Sequence, residues 1–416
     1  MNSSPPSTPP SRPPEDHERR FKNIGTPCEW VENYHPGGFH PVHLGDAFDH
    51  GRYRIVRKLG EGSFSTVWLA RDTQNNTYVA LKILMSEVAG TEPDKELRIL
   101  QHLFGVAPVQ AARFVTRILG EFEHIGPNGT HKCLVFEAMG PTVNSMVEEL
   151  PQFKPRNRHM KVRYPPQMAR TILKQSLEAL DFLHGIGIAH GDFQPGNMLF
   201  ALDDIDSQPE DALRQKQVVN DGTLCGSISP PVERLDGKQD QWAPRYLCVG
   251  KPLVDFTNYT DNLKIKLSDM GGAYFFQEPP LKPVVPAGLR PPELVLSGAL
   301  NETVDIWSFG CLIFELVTGR PLFLAPWYPA QEYQDDDLLI GFTSTLGPLP
   351  DELYKCGVPL MLKELSMEEI FDEAKPEIAE DEAKAVKLLI RRILQYDPAK
   401  RPSAAEILQD PWFSRV

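Results

Sequence analysis

The 416 residues are 41% hydrophobic and 24% charged, a globular composition with enough length for two or three core-bearing units. A formal net charge of −13 argues against non-specific nucleic-acid binding and leaves room for a basic partner. The six cysteines form no CxxC pair and have no histidine cluster beside them, which points to reduced thiols in an intracellular protein without structural zinc.

The chain opens "MNSSPPSTPPSRPPEDHERR", which lacks the apolar stretch of a signal peptide. Its Pro and Ser content cannot support a core, so residues 1–33 are expected to be a disordered tail, with or without phosphosites. From Tyr53 to Leu84 the pattern is that of strands: "YRIVRKLGEG" and "TVWLARD" alternate, and "TYVALKIL" is β-branched and apolar. "EPDKELRILQHL" follows as a helix. "RNRHMKVR" reads as a solvated loop rather than a localisation signal, and "MARTILKQSLEALDFLH" then places Ala169, Ile172, Leu173, Leu177, Leu180 and Leu183 on one helical face. Between Asn197 and Asp269 the chain is polar and punctuated by Pro and Gly. It reads as an insertion, about 203–262, with little apolar surface to bury and a closure cost that grows only logarithmically with length. "VDIWSFGCLIFELVTG" is apolar nearly all round, hence a buried central helix stopped by Gly319 and Pro321. Val386, Leu389, Ile390, Ile393 and Leu394 make an amphipathic stripe, and Ser403 and Glu406 are spaced as a capping box. The order predicts an α+β, bilobal fold: a small strand-rich lobe and then a larger helical one. No run of about 18 apolar residues is present to form a membrane-spanning helix.

The residues that carry chemistry follow the same order. "LGEGSFSTVWLA" sets Gly60 and Gly62 around Glu61 on a strand–turn–strand, where glycine lets backbone approach a phosphate; a hairpin turn would look the same. Lys82 in "VALK" is placed to reach α- and β-phosphates, or is an edge-strand lysine, and Glu96 could hold it by an ion pair. "HGDFQPGNML" is more specific. Behind His190, Asp192 is spaced to orient and deprotonate an acceptor hydroxyl, and Asn197, with Asp269 of "LSDMGG", to hold a metal ion against phosphates.

"GxGxFSTVW", "VALK", "HGDxxxxN", "DMG", "PPE" and "DIWSFG", closed by "YDPAKRPSAAEIL", resemble a eukaryotic protein kinase from about Tyr53 to Phe413. "GGFHPVHLGDAFDHGRYRIVRKLGEGSFSTVWLA" is similar, more narrowly, to the serine/arginine-protein kinases, which phosphorylate Arg/Ser-rich splicing factors; the chain looks like a divergent, fungal-type member. The resemblance implies a protein-kinase-like fold over residues 53–416, with an N-lobe of about 53–138 and a C-lobe of about 139–416. It implies ATP and Mg2+ as cofactors, with Asp192, Lys82, Glu96 and Gln194 as catalytic residues and Asn197 and Asp269 as metal ligands. Leu59, Gly60, Glu61, Gly62, Ser63, Val67, Ala80 and Lys82 would surround ATP, with Phe136 as gatekeeper and Glu137 to Met139 against adenine. Glu293 and Arg401 would lock the activation segment to the helical lobe, and Asp305 would brace the catalytic loop. The implied setting is a monomer of cytoplasm and nucleus that acts on basic Arg/Ser-rich proteins, with no direct nucleic-acid or membrane partner.

Some features depart from that pattern. Gln194 stands where nearly all protein kinases have Lys, and Pro286 where a Thr usually bonds that Lys. Between Asp269 and Glu293 there is no Ser or Thr, and Gly191 replaces the Arg that would receive an activating phosphate, leaving only Tyr274 as a modifiable hydroxyl. The acidic runs Glu332, Asp335, Asp336, Asp337 and Glu368, Glu369, Asp372, Glu373 read as solvated faces or, by the resemblance, as docking for Arg-rich substrates. The same loop would also serve a small-molecule phosphotransferase of the aminoglycoside kind, and the same motifs a kinase-shaped scaffold without turnover.

Overall fold

A computed structural model describes residues 18–86, 94–106, 113–154, 161–219, 226–260, 262–281, 283–296, 300–328, 330–350 and 365–415. They divide into two units. The first gathers the described residues up to Leu97 with Thr116–Pro141 and Leu202–Asn258; the second gathers Arg98–Val115, Thr142–Ala201 and the chain from Tyr259 onward.

The first unit is built on one antiparallel sheet of β1 (Ala47–Phe48), β2 (Tyr53–Glu61), β3 (Ser65–Asp72), β4 (Thr77–Leu84), β5 (Ile118–Gly126) and β6 (Gly129–Glu137), in the order β1-β2-β3-β4-β6-β5. Period-2 alternation sorts its side chains into two cores. Trp68, Ala70, Val79, Leu81, Ile83 and Val135 share one, while Val56, Leu69 and Tyr78 fall in the other.

The N-terminal segment and the insert both depart from what their composition predicts. Residues 18–33 are not a loose tail (residues 1–17 lie outside the described part). Phe21 and Val31 pack with Tyr34, Phe39 and Leu247, and Arg20 is fully buried against Glu32 (Nε to Oε2 3.0 Å) and Asp240 (Nη1 to Oδ2 3.3 Å). Nor is the insert a polar excursion from the second lobe. Ile205, Leu213 and Leu253 enter one core of the sheet and Ile228 and Cys248 the other. Arg57 donates to the carbonyl of Leu213 at 2.7 Å, and Phe21 pairs with Arg234 in an antiparallel bridge. These apolar residues have neither a period of 2 nor of 3.6, so no amphipathic element announces them. They act one at a time, each filling a gap against the sheet.

His40, His124 and His131 cluster beside Phe48, with the His124 and His131 rings centred 4.5 and 4.9 Å from that of His40. The Nδ1 of His40 and the Nε2 of His131 are buried without a protein partner. Burial holds all three rings below the usual histidine range, His40 down to about 3. The unfolded chain binds the proton near pH 6.5 and the folded chain does not, so this contribution is whole above 6.5 and is lost as pH falls toward the folded value. Between pH 7 and pH 5, His40 alone should cost about 2 kcal/mol of stability. Urea midpoints at the two pH values, in wild type and His40→Gln, test this; an equal drop in both would assign the acid sensitivity elsewhere.

The second unit is helical. Helix α1 (Asp94–Val106) contributes its residues from Arg98 onward, followed by α2 (Val143–Glu149) and α3 (Pro166–Gly185), which buries Ala169, Ile172, Leu173, Leu177, Leu180 and Leu183 on its expected face. Two short antiparallel strand pairs, β7 (Ile188–Ala189) with β10 (Tyr274–Phe275) and β8 (Met198–Phe200) with β9 (Ile265–Leu267), flank the loops 190–197 and 268–273. In the insert, which belongs to the first unit, α4 (Glu210–Leu213) is a single turn. After α5 (Pro292–Val295), α6 (Thr303–Thr318) is the buried central helix, ended by Gly319 at φ +78. Helices α7 (Gln331–Leu346), α8 (Met367–Ala374), α9 (Glu380–Ile393) and α10 (Ala404–Leu408) complete the unit. Val386, Leu389, Ile390, Ile393 and Leu394 are buried, and the Ser403–Glu406 capping box is formed.

Candidate active site

In the first unit, β2 and β3 close the glycine-rich turn. The Gly62 N–H donates to the Ser65 carbonyl at 2.8 Å, Gly60 lies opposite Val67, and Phe64 is exposed at the tip. Ser63 and Glu61 are exposed beside it, and Leu59 packs on the core that holds Val56. Lys82 is not on an edge: β4 lies between β3 and β6, and Lys82 faces Val67 on one side and Leu134 on the other. Its Nζ donates to Glu96 of α1 at 2.8 and 3.0 Å. Ala80 pairs with Phe136 across the sheet, Met139 is buried, and the Glu137 carboxylate accepts the Arg117 N–H at 2.7 Å.

In the second unit, the loop His190–Asn197 is held from below. Asp305, buried on α6, accepts the His190 N–H at 2.7 Å and the Gly191 N–H at 2.9 Å, and its Oδ2 meets His184 Nε2 at 2.9 Å. Burial opposes its charge, but His184 and these N–H groups outweigh burial and hold the carboxyl below its ordinary range. Sequence reasoning missed His184, whose only signal is its place in the last turn of α3. His190 is buried, with Nε2 3.1 Å from the Ser268 carbonyl.

Asp192 is gripped by its own loop. Gln194 Nε2 donates to Oδ1 at 2.6 Å, and Asn197 Nδ2 donates to Oδ2 at 2.8 Å and to the Asp192 carbonyl at 2.9 Å. Burial, partly offset by His190 and these two amides, pushes its carboxyl above the ordinary aspartate value. Asp269 adopts φ +60, in the left-handed region, and caps the next turn through the Gly271 N–H. The preceding Ser268 bonds the Asn197 carbonyl through its N–H at 2.8 Å, which ties the two segments together. Arg401 makes two 2.6 Å bonds to Glu293 and a 3.0 Å bond to the Thr303 carbonyl, a bidentate lock on α5. Gly191 has φ +70, and a Cβ there would sit 2.5 Å from the Gly272 carbonyl oxygen. Tyr274 is buried with its hydroxyl donating to Asn301 O at 3.0 Å.

The chain matches the protein kinase domain over residues 53–207 and 253–413, with the gap falling in the insert. It belongs to the protein kinase family. It is 29% identical to the serine/threonine-protein kinase SRPK of Physarum polycephalum, over 93% of this chain and 92% of that one. It is 30% identical to a serine/threonine protein kinase of Aspergillus fumigatus (90% and 88%) and 24% identical to SRSF protein kinase 3 of Mus musculus (92% and 90%). The kinase is thus a serine/threonine protein kinase of the SRPK kind, using ATP and a divalent metal. Asn197 offers an amide oxygen and Asp269 a carboxylate; these are hard oxygen donors, too few to cage a cation alone and suited to one that arrives with phosphates.

Proposed function

We propose that the kinase transfers the γ-phosphate of magnesium-bound ATP to serines in basic, Arg/Ser-rich proteins. Lys82, held by Glu96, would contact the phosphates, Asn197 and Asp269 would hold the metal, and Asp192 would orient the serine hydroxyl and take its proton. The observation that carries active transfer over a silent scaffold is the grip on Asp192. Gln194, in the place of Lys, aims the base together with Asn197, so the neutral amide keeps the loop assembled. Gln194 supplies no charge to the transferring phosphate, and this predicts a slow enzyme, since charge-assisted bonds are about twice as strong as neutral ones. The aminoglycoside-type reading is disfavoured by the activation segment locked through Glu293 and Arg401, which a small-molecule kinase does not need.

Charge supports the basic substrate. Glu332 and Asp336 are exposed on α7, while Asp335 pairs with Arg290 at 3.1 Å and Asp337 with the Tyr328 hydroxyl. The second acidic run is mostly structural: Glu368 pairs with Arg391, Glu369 caps α8, and Asp372 pairs with Lys387. Most of "RNRHMKVR" lies outside the described residues, but its Lys161 and Arg163 bond the carbonyl of Ala374.

An Arg/Ser-rich peptide and a neutral serine peptide, assayed across a salt series, test the reading. The KM of the basic peptide should rise with salt, because exposed pairs are screened within about 10 Å at 0.1 M. A flat KM, or equal use of an acidic peptide, would refute the assignment of substrate.

A further inference from the structure

The glycine-rich turn is soft by composition: Gly60 and Gly62 carry no side chain, and the space where a Cβ at Gly60 would sit is empty within 4 Å. The residue between them is tethered. Glu61 Oε2 lies 2.9 Å from Nζ of Lys58, three residues earlier on β2. Lys58 is fully buried, and its ammonium also meets the carboxylate of Glu29, from the N-terminal segment, and the carbonyl of Cys248, from the insert, at 3.0 Å. Two carboxylates and a carbonyl therefore surround one ammonium, with hydrogen bonds to Glu29 and the Cys248 carbonyl and an ion pair to Glu61. Burial opposes its charge, but the two glutamates outweigh burial and raise its pKa, so the tether stays ionic.

The backbone at this point is fixed from the same side. The Lys58 N–H donates to Gln215 Oε1 at 2.9 Å, and the Lys251 N–H donates to the Lys58 carbonyl at 2.9 Å. Gly250 runs beside the turn; a Cβ there would sit 3.4 Å from the Gly60 Cα and 3.6 Å from Glu61 Oε2. The pairing of β2 with β3 shifts register between Lys58 and Gly60, a local irregularity of the kind that re-aims a strand. Glu29 is in turn held by the Tyr34 hydroxyl. Segments distant in sequence thus converge on the residue that holds the turn.

We propose that Lys58, clamped between Glu29 and Glu61, is a positioning residue that sets the glycine-rich turn for the phosphates of ATP, and that the N-terminal segment and the insert hold it in place. The proposal rests on the reading of this turn as the cover of the nucleotide. It acts by pre-organisation: a turn already placed loses less freedom when phosphate binds.

Lys58→Met would leave two carboxylates without their cation and endanger the fold, so the decisive variants are Glu61→Gln and Glu29→Gln, each isosteric. Calorimetry with ATP plus magnesium and, separately, with adenosine reads the difference, because the turn covers phosphates and not the base. Each variant should keep the wild-type melting temperature within a few degrees. Each should bind ATP about fivefold more weakly and leave adenosine affinity and the KM for peptide unchanged. The double variant should lose less than the product of the two single effects, since both act through Lys58. Folded variants with wild-type ATP affinity, or with ATP and adenosine weakened together, would overturn the proposal. A wild type that bound adenosine but gained nothing from the phosphates would overturn the reading of the turn itself, and the proposal with it.

Discussion

Asp192→Ala is expected to lower kcat by about a thousandfold or more while magnesium-ATP still binds, because a positioned base commonly contributes about 10²–10⁴. The loop leaves no substitute: the groups that touch the Asp192 carboxylate are the amides of Gln194 and Asn197, which cannot take a proton. Lys82→Met and Asp269→Ala should be comparably severe for a different reason, since they remove the phosphate contact and a metal ligand. Gln194→Lys alone should help little, because Pro286 offers no hydroxyl to steady a new ammonium. With Pro286→Thr added, kcat should rise more than the two single effects combined, the coupling expected of two positions that the protein-kinase pattern pairs as a Lys and a Thr. Single-turnover assays on variants with wild-type circular dichroism would decide. Near-normal transfer by Asp192→Ala would remove it from the mechanism, and an inert double variant beside an inert wild type would favour a scaffold.

Removing the insert should unfold the first unit. Replacing residues 206–240 by a short Gly/Ser linker takes away Leu213 and Ile228, one from each core of the sheet, and Gln215, which bonds the Lys58 backbone. The single change Leu213→Ala, at a fully buried position, should cost about 2–5 kcal/mol. Chemical denaturation of the intact kinase measures both. A linker variant with the wild-type midpoint would show that the insert merely rests on the sheet.

What could be read in advance divides along physical lines. Helix α3 and the strands from Tyr53 to Leu84 were legible because burial on one face writes a period into the sequence. The loop His190–Asn197 was legible because its chemistry demands fixed residue types at fixed spacing, and Lys82–Glu96 followed once that frame was in place. The packing of residues 18–33 and of the insert was not legible. Arg20 is satisfied by Glu32 and Asp240, and Leu213 by strands more than a hundred residues earlier, and such partnerships leave no periodic trace. A Pro-rich, charged start and a polar insert look like unfolded chain when their few apolar and ionic anchors find partners only at long range. The ion pair of Lys58 with Glu61 was not legible either, because positions i and i+3 of a strand ordinarily point to opposite faces, and Glu29 lies 29 residues away.

Gly191 carries a consequence for how such an enzyme could come under control. Arginine at this position would need a left-handed backbone, which costs an L-residue roughly 1–2 kcal/mol, and its Cβ would overlap the Gly272 carbonyl. A phosphate acceptor would also have to be written into a segment that contains no Ser or Thr and whose Tyr274 is buried. Each change alone is useless or harmful, so no single-step path leads from this loop to a phosphate-gated one. Selection would have to alter both positions together before this segment could gate the kinase by phosphate.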